Sequence, residues 1–285
     1  EFEANWRERK GEFNYSIGLN LATTNNKVIS LADEGQVLYG EGLKDGTEHF
    51  PTQTRVGRPI GAFYLYKTDG LFQSDAEARS YVNADGKKYQ PYADAGDIKF
   101  VDTNGDGEIN DDDKVYCGSG IPTLEVNINL SLDYKGFDLS AVLGSAWGHK
   151  IYNGNKYFYE GMNSGSNFLA SSLQSWTPGN TNTAVPRAIY NDPNGNLKES
   201  DRFLEKGDFI RLRQLQLGYS LPKNTVSNLY LSSLRFFVSG ENLFTITGYK
   251  GIDPEFSRSS VLNAGIDKLI FPFTRQFSVG AQLSF

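Results

Sequence analysis

Apolar and polar residues alternate along seven stretches of this chain, and between those stretches the alternation lapses. The clearest case is 123–134. Leu124, Val126, Ile128, Leu130, Leu132 and Tyr134 share one parity, and Glu125, Asn127, Asn129, Ser131 and Asp133 the other. A period of two places alternate side chains on opposite faces of a strand, one apolar and one polar. The same reading predicts a strand at Phe2, Ala4 and Trp6, and another through Phe13, Tyr15, Ile17, Leu19 and Leu21. Further strands are predicted at Phe137, Leu139, Ala141 and Leu143, at Leu234, Phe236, Val238, Phe244 and Ile246, and from Phe273 to Phe285. Over 209–221 the phase slips. Ile210 and Leu212 lie on one parity, and Leu215, Leu217 and Tyr219 on the other, which predicts a β-bulge near Arg213.

Lengths and connections narrow the fold class. Most of these stretches run ten to fourteen residues. Strands of globular proteins average about five or six residues, whereas a tilted strand that spans a membrane needs about nine to eleven. Short connections (Arg7–Gly11, the YKG after Asp133, and 222–233) alternate with long ones at 23–122, 152–206 and 248–272. That asymmetry is the one outer-membrane barrels show, with short periplasmic turns and long extracellular loops. The expected fold is therefore all-β: about seven antiparallel strands of a transmembrane barrel, with its long segments outside. Within 23–122, GAFYLY (61–66) predicts a short strand that does not span the membrane, and Ser74 with Glu77 predicts the capping box of a short helix. Alternation alone also suits a soluble β-sandwich with one face on a core.

Composition adds exclusions. The 285 residues carry a net charge of −6, which argues against a nucleic-acid partner. No run approaches the ~18 apolar residues of a membrane helix. Cys117 is the single cysteine, so no internal disulfide forms. Glu1 opens directly into EFEANWRERK, without a signal-peptide pattern. The two histidines, His49 and His149, lie in no HExxH motif, and neither GxSxG nor a Walker loop occurs, so an enzyme is not expected.

The most legible chemistry is DTNGDGEINDDD, 102–113. Oxygen-bearing side chains fall at loop positions 1, 3, 5, 9 and 12 (Asp102, Asn104, Asp106, Asn110 and Asp113), with Gly107 at position 6 and Glu108 at 7 offering its carbonyl. Ca2+ takes about six to eight oxygen ligands, and a sharp turn at position 6 lets such a loop wrap it. The expected metal site is a structural Ca2+ held by Asp102, Asn104, Asp106, Glu108, Asn110 and Asp113. A turn-rich acidic loop held by Asx turns has the same composition.

Several motifs carry a family resemblance. GRPIGAFYLYKTDGLFQS (57–74), GDIKFVDTNGDGEINDDD (96–113), YKGFDLSAVLGSAWGHKIYN (134–153), GDFIRLRQLQLGYSLP (207–222), SGENLFTITGYKGIDPE (239–255) and the final QLSF resemble the C-terminal part of SusC/RagA TonB-dependent outer-membrane transporters. The resemblance implies that 1–285 is one portion of a barrel of about 22 strands, with 23–122 and 152–206 as long extracellular loops. It also implies a SusD-like lipoprotein lid, a TonB complex acting through an N-terminal plug that this sequence lacks, contact with the remaining barrel and plug and with outer-membrane lipid, and glycan or peptide cargo. Loop aromatics such as Tyr157, Phe158, Tyr159, Phe168, Trp176 and Tyr190 suit sugar stacking, partner contact or loop self-packing. Arg211 and Arg213, on the lumen parity, suit polar cargo or ion pairs with plug or wall carboxylates. Two other classes remain open at this point: a soluble calcium-stabilised carbohydrate-binding sandwich, and a surface hydrolase with a carboxylate pair.

Overall fold

The computed structural model describes residues 1–43, 48–160, 167–227, 230–256 and 260–285. The parts of the three long segments and of the 222–233 connection that fall on 44–47, 161–166, 228–229 and 257–259 lie outside the described residues.

All seven alternating stretches are strands: β1 (Phe2–Lys10), β2 (Phe13–Thr23), β3 (Leu124–Tyr134), β4 (Phe137–Trp147), β5 (Phe209–Ser220), β6 (Ser233–Thr247) and β7 (Gln276–Ser284). They pair in chain order into one antiparallel sheet. The register keeps the two parities apart. Leu19, Ile128, Leu143, Leu212 and Phe244 form one row across five strands, and the adjacent row is Asn20, Asn127, Gly144, Arg211 and Thr245. The bulge falls where the phase slip predicts it, since Arg213 is skipped in the pairing with both neighbours. In β6 the residues skipped opposite it are Asn242 and Leu243, so two extra residues keep the phase there.

Three boundaries differ from expectation. Arg7–Lys10 continue β1 rather than turning, and the reversal sits at Gly11 and Glu12 between the paired Lys10 and Phe13. Gly11 supplies the positive φ of 64° that a tight hairpin needs. The 222–233 connection holds a short helix, Lys223–Ser227, rather than a plain turn. The last strand starts at Gln276, because the Phe273 N–H is already committed to Asp253 Oδ2 at 3.1 Å. The YKG turn is as predicted: Lys135 and Gly136 both have positive φ, 47° and 88°, the conformation that matches the twist of the flanking strands.

The apolar face is not covered. Ile17, Leu217, Val238 and Val279 on it are between 43% and 85% exposed. A sandwich would bury these residues under a second sheet, and the sheet here has no such partner among the described residues. Buried apolar clusters instead lie in the long segments, at the end of the sheet away from the short turns. Phe63 and Leu65 from the first, Tyr152, Tyr157 and Phe203 from the second, and Ile266 from the third share one core. Two small sheets frame it. One pairs Leu38–Tyr39, Thr52–Thr54, Ala62–Leu65 and Val115–Ser119, so GAFYLY is a short strand outside the wall as expected. The other sets Lys150–Asn153 between Leu204–Lys206 and, in parallel, Ile266–Asp267. The Asp75–Ser80 helix has Ser74 as its N-cap, and Glu77 reaches back to the Gln73 N–H at 2.7 Å.

Candidate functional site: the polar wall and the loop body above it

The polar face of the sheet is laced by ion pairs that cross strands over glycines. Arg235 of β6 binds Asp138 of β4 through two bonds, Nε to Oδ1 at 2.9 Å and Nη2 to Oδ2 at 2.5 Å. Between them on β5 lies Gly218, where a Cβ would sit 2.4 Å from the Arg235 Nη2. The strand in the middle must therefore lack a side chain. The same device recurs at Gly144, over which the Arg213 side chain passes on its way to Glu255 Oε1 at 2.8 Å. Arg211 binds Asp253 and lies 3.3 Å from Glu255. Both arginines are thus paired with carboxylates of the third long segment. These pairs suspend that segment over the wall. Beneath it is a cavity of about 190 Å³, lined by Asn127, Ser145, His149, Arg213 and Glu255 among others. Burial pushes the His149 imidazole below its ordinary pKa, which keeps it neutral there.

The first two long segments are joined by side chains that act as surrogate backbone. Asn196 Oδ1 accepts from the Ile98 N–H at 2.9 Å, Asn194 Nδ2 donates to the Ile98 carbonyl at 3.1 Å, and Gln90 bonds both Ile98 and Phe100. Asp97, fully buried, takes a fork from Arg187 at 2.9 and 2.8 Å and a bond from Asn196. Nearby, Glu199 is the hub of a second network. It meets His49 Nδ1 at 2.9 Å and Lys114 Nζ at 2.5 Å, and Lys114 also reaches Asp111 at 2.9 Å. Burial raises the Glu199 carboxyl, but His49 and Lys114 outweigh it and hold the group below its ordinary value. For Lys114 burial acts downward, and Glu199 with Asp111 more than offsets it.

The 102–113 loop has a definite internal order. Asp102 accepts from the Gly105 and Gly107 N–H groups at 2.6 and 2.9 Å, and Gly107 has the positive φ of 88° that the sharp turn requires. Asn104 and Asn110 both turn their amides to Asp106 Oδ2, at 3.0 and 3.4 Å, so three of the expected ligands converge. The Asp106 carboxyl is held below its ordinary range by the Glu108 N–H and Asn104. Glu108 sends its side chain to Lys87 at 2.5 Å, which leaves the backbone carbonyl as its expected contribution. Asp113 stands apart. It is buried, and its carboxylate accepts from the Thr103, Asn104 and Asn110 N–H groups, stapling the two ends of the loop. The Asn104 and Asn110 side-chain oxygens accept from the Asp106 and Asp112 N–H groups, so these oxygens and those of Asp102 are turned to the loop's own backbone, and no group of three acidic or imidazole side chains converges on a metal position among the described residues.

Of the second-segment aromatics, Tyr157 and Trp176 are buried in loop clusters and Phe158 packs against one, which is self-packing. Tyr190 and Phe168 are exposed. Sequence reasoning passed over Glu199, Lys114, Asp97 and the Asn194–Asn196 pair. Polar residues in turn-rich segments look solvated, and only the DPNGN turn former around Asn194 hints at structure.

No protein-family model matches the chain. It is 31% identical over its whole length to TonB-dependent receptor P3 of Formosa agariphila, of which it covers 28%. To TonB-dependent receptor SusC of Bacteroides thetaiotaomicron it is 24% identical, covering 96% of this chain and 25% of that protein. The fold superposes on the structure of the RagAB peptide importer in its closed-closed state with a TM-score of 0.73, at 21% identity, over 99% of this chain and 29% of that one. The chain thus spans under a third of the length of these relatives.

Proposed function

The chain is a homologue of TonB-dependent receptors, and from that homology we propose that it supplies part of the barrel wall and the extracellular loops of an outer-membrane importer. One observation carries this reading: a continuous seven-stranded antiparallel sheet with an apolar face left exposed and a polar face laced by ion pairs. Such a sheet suits lipid on one side and a wet lumen on the other. The wall strand β3 has ten residue steps, about 34 Å along the strand and about 25 Å along the membrane normal at barrel tilt. That height suits a bilayer core of an outer membrane.

In this reading the loop body lies outside the cell and receives a SusD-like lipoprotein as lid, the cargo is a glycan or peptide, and TonB acts through the plug of the whole receptor. A Ca2+ held by Asp102, Asn104, Asp106, the Glu108 carbonyl, Asn110 and Asp113 braces the loop body and has no part in transport chemistry. The chain's own residues act by shape and charge: Arg211 and Arg213 hold the third loop through Asp253 and Glu255, and the wall's Asn127, Gln214, Gln216 and Ser239 present polar groups to a hydrated passage.

The test is uptake in cells carrying the full receptor. Labelled oligosaccharides or oligopeptides should enter only when both the receptor and TonB are present, and the receptor should fractionate with outer membranes and co-purify with a surface lipoprotein. Recovery of the receptor in the soluble fraction, or uptake indifferent to TonB, would overturn the proposal.

A further inference from the structure

The first long segment carries a pair of arginines whose surroundings differ from those of the arginines holding the wall and loops. Arg187, Arg202, Arg211, Arg213 and Arg235 each face a carboxylate. Arg55 and Arg58 have no ion-pair partner among the described residues, in a chain with 34 acidic and 28 basic residues. They are instead laid on rings. The Arg55 guanidinium carbon is 4.7 Å from the centre of the Tyr64 ring, and that of Arg58 is 4.6 Å from the centre of Tyr116. Tyr64 and Tyr116 are partners across Ala62–Leu65 and Val115–Ser119, with rings edge-to-face at 6.1 Å. Arg55 Nε is further held by Gln53 Oε1 at 2.8 Å. Gln53 in turn pairs with Tyr39, whose ring is exposed.

The arrangement is order without neutralisation. Stacking fixes each guanidinium plane and removes side-chain freedom, but it satisfies few of the five N–H donors. An arginine fork held in this way is ready to bind a planar or multi-oxygen anion through two parallel bonds. Tyr116, under Arg58, and Tyr39, on the strand beside Gln53, offer flat, partly exposed rings. Alternating cationic forks and flat rings match a polymer that alternates anionic groups with apolar ring faces. We propose that Arg55, Arg58, Tyr39 and Tyr116, held from behind by the buried Gln53 and Tyr64, form a binding surface for an anionic oligosaccharide, one bearing uronate carboxylates or sulfate groups. The proposal narrows the cargo class within the import reading and rests on that reading for its biological setting only, because binding is measured without transport.

The experiment uses the detergent-solubilised full receptor and isothermal titration calorimetry with three probes: trigalacturonate, neutral maltotriose and triglutamate. Trigalacturonate should bind, more weakly as salt is added, while maltotriose and triglutamate bind at least tenfold more weakly. A sulfated trisaccharide beside trigalacturonate separates the two anion sources. The Arg55→Gln/Arg58→Gln receptor should lose tenfold or more in trigalacturonate affinity with an unchanged melting temperature, and Tyr116→Ala should weaken binding as well. Should the double variant melt early, Arg58→Gln alone, at an exposed position, provides the same comparison. If neither anionic sugar binds, if the variants bind as well as the parent, or if triglutamate binds as tightly as either sugar, the proposal is overturned. A parent receptor with TonB-dependent uptake that binds neither anionic sugar sinks this inference alone, and one that binds as expected while its uptake is indifferent to TonB sinks the import reading alone.

Discussion

A lysine at Ile128 and a lysine at Asn129 test the wall at adjacent residues. Both positions are near the middle of β3, which runs Leu124–Tyr134, and both are exposed in the sheet as it stands. Ile128 belongs to the apolar row with Leu19 and Leu143, whereas Asn129 pairs with Gly18 and Val142 on the polar face. Five steps of about 3.4 Å at barrel tilt separate either end of β3 from its centre, so Ile128 lies within about 3 Å of the midplane along the normal. A lysine at that depth on the lipid face should cost about 2–4 kcal/mol. Asn129→Lys projects from the polar face, at an exposed position, and should change stability by no more than about 0.5 kcal/mol. The assay is thermal unfolding of the receptor in lipid vesicles, followed by the loss of heat-modifiable gel mobility, together with receptor abundance in outer membranes. Equal effects of the two lysines would refute the assignment of faces. A harmless Ile128→Lys would show that this face meets water rather than lipid.

Gly218→Ala should destabilise the wall by about 1–3 kcal/mol, because its Cβ displaces a charge-assisted pair that is partly exposed. Most of that loss should vanish in an Asp138→Asn background, and an undiminished loss there would mean that the backbone, not the ion pair, needs the glycine. Lys114→Met leaves Glu199 buried with His49 as its remaining ion partner and should cost the loop body about 3–5 kcal/mol, read as lost amide protection or faster proteolysis of 90–120 and 190–205. In the parent protein the Glu199 carboxyl is held below its ordinary value of 4.5. Its contribution is therefore present above about pH 4.5 and is lost as pH falls through the lowered value. Protection of the same amides should hold at pH 6 and fail in acid, and a loop body that opens between pH 6 and pH 5 would contradict this sign. Millimolar Ca2+ should protect amides of 102–113, and Asp106→Asn should weaken that protection at least tenfold. No protection at millimolar Ca2+ would remove the metal and leave Asp102 and Asp113 as Asx-type staples alone.

Strand existence, order of faces and the bulge at Arg213 were legible because each depends on a local period of two, which a strand obeys whatever lies beside it. The Lys135–Gly136 turn was legible for a similar reason: few residues tolerate its φ. The charged run Arg7–Lys10 reads as a turn in the sequence, yet charged residues extend a strand readily where it leaves the apolar zone. The turns of the 102–113 loop are legible in the sequence, since Asp102 and Gly107 act within six residues of one another. Its staple by Asp113 follows from the same closeness.

Tertiary structure alone decided the rest. Glu199 meets Lys114 and His49 across 85 and 150 residues of sequence, and Asn196 meets Asp97 and Ile98 across nearly a hundred. No local pattern marks such pairs, because their energy depends on burial and on partners that only the folded loops bring together. The role of Gly218 is of the same kind: an isolated glycine in a strand reads as a weakness until Arg235 and Asp138 are seen to meet above it. The sequence by itself determined a two-faced wall, its strand order and the turns of one acidic loop. Which charges are paired, and which arginines lie on rings instead, depended on how the long segments pack.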